Sequence, residues 1–267
     1  MNAFAGTPAY YRRFRPGIPV ALATLLDQTA PTGSPRRLLD IGSGPGLVVH
    51  ALRQYFDDLV AVDAEPGMLT EAEAMLRPTL DAAQRLQLRH ALAEDFLPPE
   101  AWQPHLVTCG RVFHRLNQPR FLDRLSEYLA PDGVVAVFSD RSLWTAGTPW
   151  QQTAREVVQD FLGEQRKAGD GPFSTPGPPY EEVLRASSFS HVTSAVVPVR
   201  RQWTISQVLG YLYSTSFAAP HLFGDHRDAF ESAVTNALTP LADSGVLTED
   251  NAFTVLTARR PNAHEGR

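Results

Sequence analysis

The chain has 267 residues, 43% of them hydrophobic, and sets 24 Lys and Arg against 29 Asp and Glu for a net charge of −5. That is enough for one large α/β domain, or a core domain with a small insertion. An acidic balance without runs of like charge excludes the electrostatic footprint of a DNA, RNA or anionic-membrane binder and leaves a small molecule as the expected partner. The single Cys109 excludes an internal disulfide, no Cys/His group has zinc spacing, and no apolar stretch reaches the length of a membrane span. The start Met1-Asn2-Ala3-Phe4 has neither a basic nor an apolar leader region. A metal-free, cytoplasmic protein is expected, and its oligomeric state is left open.

Residues 9–19 mix aromatic and basic side chains ahead of a predicted helix over 20–28 and a Pro/Thr/Gly/Ser linker. The apolar run Arg37-Leu38-Leu39-Asp40-Ile41 then enters Gly42-Ser43-Gly44-Pro45-Gly46 before apolar residues resume at helical spacing, which reads as strand, tight turn, helix. Glycine serves where the backbone needs positive φ or where a ligand must approach the main chain, so a ligand is expected on this turn, facing the free N–H groups of the helix start. Asp63 ends the next apolar run, 63 − 42 = 21 residues after Gly42. That is the place of a carboxylate gripping a ribose diol, and nucleoside binding follows. Leu47 occupies the third-glycine position of a dinucleotide fingerprint, which counts against NAD or FAD.

A helix opens at Glu65-Pro66 and runs through Ala72, with Pro in its first turn. A short alternating strand over 86–91 and a loop carrying Asp95-Phe96 follow. The fourth strand, 105–110, feeds a loop over 111–118; strand carboxyl ends at the switch point of an open parallel sheet face the ligand crevice, so this loop is expected beside the reactive centre. An amphipathic helix over 121–130, stopped by Pro131-Asp132-Gly133, leads to a wholly apolar strand over 134–140. Residues 144–179 are rich in Gly, Pro and Trp and read as an insertion, with a helix over 151–166 and a loose stretch over 169–179. A short helix over 181–187, an extended run over 191–203, helices over 206–217 and 225–243, and a last strand over 253–260 complete the chain.

The pattern D-x-G-x-G-x-G with an acid at the end of the next strand resembles the class I S-adenosylmethionine-dependent methyltransferases. The similarity continues through Met68-Leu69 after Asp63, through Leu129-Ala130-Pro131-Asp132-Gly133 before the fifth strand, and through Gly210-Tyr211-Leu212-Tyr213-Ser214-Thr215-Ser216-Phe217. It implies one domain over 1–267 with a Rossmann-like seven-stranded sheet, mostly parallel with an antiparallel last strand. A helical lid over 1–30 and an insertion over 141–180 covering the crevice go with it. The implied cofactor is S-adenosyl-L-methionine, held by Asp40, Gly42, Gly44, Gly46, Asp63 and Gly110. Arg15 and Tyr10 or Tyr11 would lie near its methionine carboxylate, Met68 against its adenine, and Asp95 and Phe96 on the adenine amino group and ring. A solvated basic face for the Arg15 segment, and plain core for Met68, Phe96, Tyr211 and Tyr213, are the competing readings.

Thr108, Gly110, Arg111, Phe113 and His114 match a subgroup of bacterial small-molecule methyltransferases, but Arg115-Leu116-Asn117 stands where Trp-Met-Asp is usual. The departure falls on the acceptor side. Tyr11, Phe14, Arg111, Phe113, Arg115, Trp144, Tyr211 and Ser214 are the substrate-facing candidates, and His114 the catalytic one. A sulfonium is already an activated leaving group, so positioning carries most of the catalysis; a base such as His114 adds typically about 10²–10⁴-fold where the acceptor is a hydroxyl or amine. The implied reaction is methyl transfer to a small secondary-metabolite acceptor. Elimination, cyclisation or ring closure on the same fold, such as aziridine formation, and a non-catalytic cofactor-binding subunit are the alternatives.

Overall fold

In the computed structural model, residues 6–164, 167–168, 171–172 and 177–261 are described. The start 1–4 and most of the loose stretch 169–179 lie outside them. The strands are β1 (Arg37–Ile41), β2 (Asp58–Asp63), β3 (Arg85–His90), β4 (Leu106–Gly110), β5 (Val134–Asp140), the two-residue pair β6 (Lys167–Ala168) and β7 (Gly171–Pro172), then β8 (His191–Trp203) and β9 (Leu247–Arg259). The helices are α1 (Pro8–Phe14), α2 (Val20–Thr29), α3 (Leu47–Leu52), α4 (Pro66–Leu76), α5 (Gln118–Ser126), α6 (Pro149–Leu162), α7 (Tyr180–Arg185), α8 (Ile205–Tyr213) and α9 (Arg227–Leu238).

Seven strands form one sheet in the order β3-β2-β1-β4-β5-β9-β8. β1 to β5 are parallel to their neighbours, and β9 runs antiparallel to β5 and to β8. The expected seven-stranded, mostly parallel sheet with an antiparallel last strand is therefore present. The apolar strands occupy its centre, because a parallel strand buried on both faces must be hydrophobic throughout. Leu38, Leu39 and Ile41 of β1, and Val134, Val135 and Ala136 of β5, have no exposed surface. β3, which alternates, lies at the edge with only Leu86 buried.

Chain packing divides into two compact units. The larger holds residues 17–139, 176–197 and 253–267. Its core joins Leu39, Val60, Val107 and Val137 of the sheet to Phe121 and Leu125 of α5 and to Leu184 of α7. Each of those large side chains contributes about 1.5–3 kcal/mol on burial. The smaller unit holds residues 1–16, 140–175 and 198–252, with a core of Trp150 and Val158 from α6, Trp203, Leu212 and Tyr213 from α8, and Phe230 and Val234 from α9. The expected helical lid over 1–30 is thus divided between the two, with α1 in the smaller unit and α2 in the larger. Proline opens α1, α4 and α6, where a missing N–H costs nothing. α8 starts with a capping box of Thr204 and Gln207.

The smaller unit also contains a buried polar network. The Glu249 carboxylate accepts from Trp203 Nε1 at 2.9 Å, Asn251 Nδ2 at 2.8 Å, Gln151 Nε2 at 3.2 Å and Arg201 Nη1 at 3.4 Å. Arg201 Nη2 reaches Asp140 Oδ2 at 2.8 Å. Asn251 closes the network on the backbone of Arg141, donating to its carbonyl and accepting from its N–H. Arg201 therefore neutralises two carboxylates that are 8% and 6% exposed. Removing one partner of such a group leaves buried charge without compensation and costs about 3–5 kcal/mol. Arg201→Leu is expected to lower stability to urea by that order, whereas Arg200→Ala, which breaks an exposed pair with Asp250, should leave the transition unmoved.

Candidate functional site

In the larger unit, the turn after β1 lies where the strand order changes direction, between β1 with its neighbour β2 on one side and β4 on the other. Gly42, Gly44 and Gly46 have φ of 61°, 54° and 84°, the left-handed region that side chains disfavour. Packing adds a second reason at two of them. A Cβ on Gly42 would lie 2.3 Å from Val112 Cγ2, and one on Gly46 2.8 Å from Leu76 Cδ1. At these two positions the space a Cβ would take is filled by the protein's own side chains.

Asp63, at the end of β2, fastens this turn. Its Oδ2 accepts from the Gly44 N–H at 2.7 Å and its Oδ1 from the Glu65 N–H at 2.8 Å, while Ser43 N donates to the Val62 carbonyl at 3.0 Å. Burial raises the Asp63 carboxyl above the ordinary range; the two N–H groups and Arg115 oppose that, and Glu65 adds to it. Asp40, adjacent to Thr108 in the β1–β4 register, accepts from the Thr108 hydroxyl at 2.6 Å through Oδ1. Its Oδ2 and the Ser43 hydroxyl are buried with no hydrogen-bond partner among the described residues. Burial pushes Asp40 up to about 7, against the Thr108 hydrogen bond and with the help of Asp63.

After β4, Gly110 packs under the Phe138 ring, 2.9 Å from where a Cβ would stand. Arg111 has φ of 59°, donates its N–H to the Phe138 carbonyl at 2.8 Å and sets its guanidinium 5.2 Å from the Phe253 ring centre. Phe113 points inward, 1% exposed and edge-on to Tyr180 at 5.1 Å. His114 and Arg115 are exposed on a single 3₁₀ turn. Met68 is buried on α4. Asp95 and Phe96 part company. Asp95 is exposed and paired with Arg120 at 2.6 Å, while Phe96 is buried against Tyr128 in the core.

The smaller unit gathers a second group of predicted residues. Arg15 lies between two rings, 5.0 Å from the centre of Tyr11 and 4.6 Å from that of Tyr211. It donates to Ser214 Oγ at 2.9 Å and to the Tyr211 hydroxyl at 3.3 Å. Phe14 stacks on Tyr10, and Trp144 stands edge-on to Phe217 at 5.2 Å. The sequence reading did not assign the latch beside them, in which Arg227 pairs with Glu231 at 3.0 Å and donates to the Tyr10 hydroxyl at 3.0 Å. Nor did it pair Thr108 with Asp40. A hydroxyl on an otherwise apolar central strand was the signal available for that partner.

No group of three or more His, Cys, Asp or Glu among the described residues is placed to hold a metal ion, and no helix among them is long and apolar enough to cross a membrane.

Residues 39–135 match the family model of a methyltransferase domain. Over 133 residues the chain is 34% identical to trans-aconitate 2-methyltransferase of Methylobacterium radiotolerans, covering 49% of this chain and 47% of that one. Over 103 residues it is 34% identical to the mitochondrial ubiquinone biosynthesis O-methyltransferase of Schizosaccharomyces pombe, covering 38% and 36%. The chain thus spans half or less of the length of these curated relatives. A solved structure of a proposed type II methyltransferase from Anaeromyxobacter dehalogenans superimposes with a TM-score of 0.56 over 92% of this chain and 98% of that one, at 21% identity, a likeness of fold.

Gly42→Ala forces both a positive φ and an overlap with Val112, together costing on the order of 1–3 kcal/mol. Thermal denaturation is expected to fall accordingly, while Gly147→Ala, where a Cβ meets open space, should melt with the wild type.

Proposed function

We propose that this chain, whose residues 39–135 match a methyltransferase domain, binds S-adenosyl-L-methionine on the glycine turn and transfers its methyl group to a small-molecule acceptor of secondary-metabolite type. The observation that carries this reading is the Asp63 carboxylate docked on the turn through the Gly44 and Glu65 N–H groups. A carboxylate oxygen accepts more than one hydrogen bond, so Asp63 keeps capacity for a ribose diol while it holds the turn. Two buried acceptors without partners among the described residues, Asp40 Oδ2 and Ser43 Oγ, also fit a ligand that brings donors and positive charge. The residues present therefore suit the nucleoside.

When bound, this cofactor supplies a methyl group on a sulfonium sulfur. The rest falls to the chain's own residues. With the cofactor bound, Asp63 would hold the ribose hydroxyls, Met68 would flank the base, and the 111–115 segment would border the acceptor. His114, exposed on its 3₁₀ turn, accepts the acceptor's proton where that acceptor is a hydroxyl or amine. Within the smaller unit, Arg15 is held between the Tyr11 and Tyr211 rings and by the Ser214 and Tyr211 hydroxyls, a preformed partner for an anionic group. Support for a small, oxygen-bearing acceptor comes from the relatives' names, one acting on trans-aconitate and one an O-methyltransferase of ubiquinone biosynthesis.

Calorimetry with S-adenosylhomocysteine tests the cofactor site. Asp63→Ala is expected to weaken binding by tenfold or more, the equivalent of about 1.5–3 kcal/mol for a hydrogen bond to a charged group; wild-type protein that does not bind the nucleoside overturns the reading. For the acceptor side, label transferred from S-adenosylmethionine to a small molecule of the producing cell's extract is the expected result. His114→Ala should then lower turnover by about two orders of magnitude with nucleoside affinity unchanged. Turnover without label transfer points to elimination or ring closure instead.

A further inference from the structure

Two acids, Asp40 and Asp63, stand at the turn, both raised above the ordinary carboxylate range by burial. Asp40 is 1% exposed at the carboxyl end of a central strand. Its Oδ1 is fixed by the Thr108 hydroxyl at 2.6 Å, and its Oδ2 meets no donor among the described residues. Among the described residues no Lys or Arg is paired with it. The titratable groups acting on it are Asp63 at the end of β2 and, on β4, the buried thiol of Cys109, itself pushed well up by burial and by Asp40. Glu65 and Arg115 act one step removed, on Asp63. Two carboxyls thus share one end of the sheet, and the charged form of the deeper one is penalised by burial and by its neighbour.

Resting on the reading of the turn as the S-adenosylmethionine site, we propose that Asp40 is a charge-sensing specificity residue: it carries a proton in the free chain and releases it to solvent when the sulfonium form of the nucleoside binds. Thr108 is its positioning residue. The physical argument is that a nearby positive charge favours the carboxylate, and that a hydroxyl already aimed at Oδ1 stabilises the ionised form once it exists. The sulfonium cofactor carries one positive charge more than the thioether product. Ionised Asp40 therefore prefers the cofactor, whereas protonated Asp40 does not distinguish the two by charge. Proton balance is simple: one proton leaves the Asp40 carboxyl for water on cofactor binding and returns when the thioether leaves.

The direction of the pH effect follows. Asp40 is raised to about 7 in the free chain, above the ordinary value of about 3.9, so its contribution to stability is full below about pH 4 and is lost as the pH rises through 7. Cofactor affinity moves the other way, tightening as the pH rises toward 7, because a proton no longer has to be displaced. If the sulfonium lowers the Asp40 titration by about one unit more than the thioether does, the affinity ratio of the two changes by up to tenfold.

The test is calorimetry of S-adenosylmethionine and S-adenosylhomocysteine between pH 5.5 and 7.5, each in two buffers of different ionisation enthalpy. Proton release is expected to be larger for the sulfonium ligand, and the affinity ratio to rise with pH. Asp40→Asn should abolish both effects and flatten the loss of stability of the unliganded protein toward pH 7. Thr108→Val should shift the midpoint of proton release upward, and Thr108→Ser restore it. Equal or absent proton release for the two ligands in wild-type protein, or release that persists in Asp40→Asn, overturns the proposal while leaving nucleoside binding intact. Failure of both ligands to bind overturns the cofactor reading beneath it.

Discussion

A carboxylate at the tip of β2 holds the glycine turn that follows β1, and the larger unit is arranged so that this happens. Parallel pairing brings Ile41 beside Val62, which places the end of β2 next to the start of the turn. Asp63 then satisfies two backbone N–H groups at once, one in each connecting loop. An unpaired buried N–H costs about 1–3 kcal/mol, so both loops are tied to the same side chain. Val112 and Leu76 close the remaining space over Gly42 and Gly46, and any side chain at those positions would push the turn away from the carboxylate.

That economy explains the electrostatics. A turn lined by N–H groups and glycines offers no cation, and the acids gathered at it are buried in an apolar sheet. Asp40 and Asp63 both rise above the ordinary carboxylate range, with burial the first cause in each. The nearest basic influence on Asp63 is Arg115, one of the residues that depart from the subgroup pattern. Positive charge brought near these acids would favour their ionised forms.

The smaller unit uses the opposite device. Its buried acids, Asp140 and Glu249, are matched by Arg201, two tryptophan and amide donors and an asparagine clamp on Arg141. No buried side-chain acceptor of this network is without a hydrogen-bond partner among the described residues. Arg15 differs again, being held by two aromatic faces and the hydroxyls of Ser214 and Tyr211, with no acid paired to it among the described residues.

Much of this was legible in the amino-acid order. Apolar runs ending in Asp40 and Asp63, with alternating glycines between them, specify two buried parallel strands and a positive-φ turn, because strand burial and left-handed backbone are local demands on residue type. The wholly apolar β5 likewise announced a central strand, while the alternation of β3 was legible and its place at the edge came from the structure. Element bounds drifted where the signal was only amphipathic: α6 stops at Leu162 and α9 spans Arg227–Leu238, shorter than their patterns, and β9 begins at Leu247, six residues before its apolar run. Tertiary structure alone decided which polar groups meet. Phe96 and Phe113 go into the core and Asp95 to Arg120, while Asp40 finds Thr108 across 68 residues and Arg15 finds Ser214 across 199. A side chain's partner depends on which strands and helices become neighbours, and that is set by packing of the whole core, not by spacing along the chain.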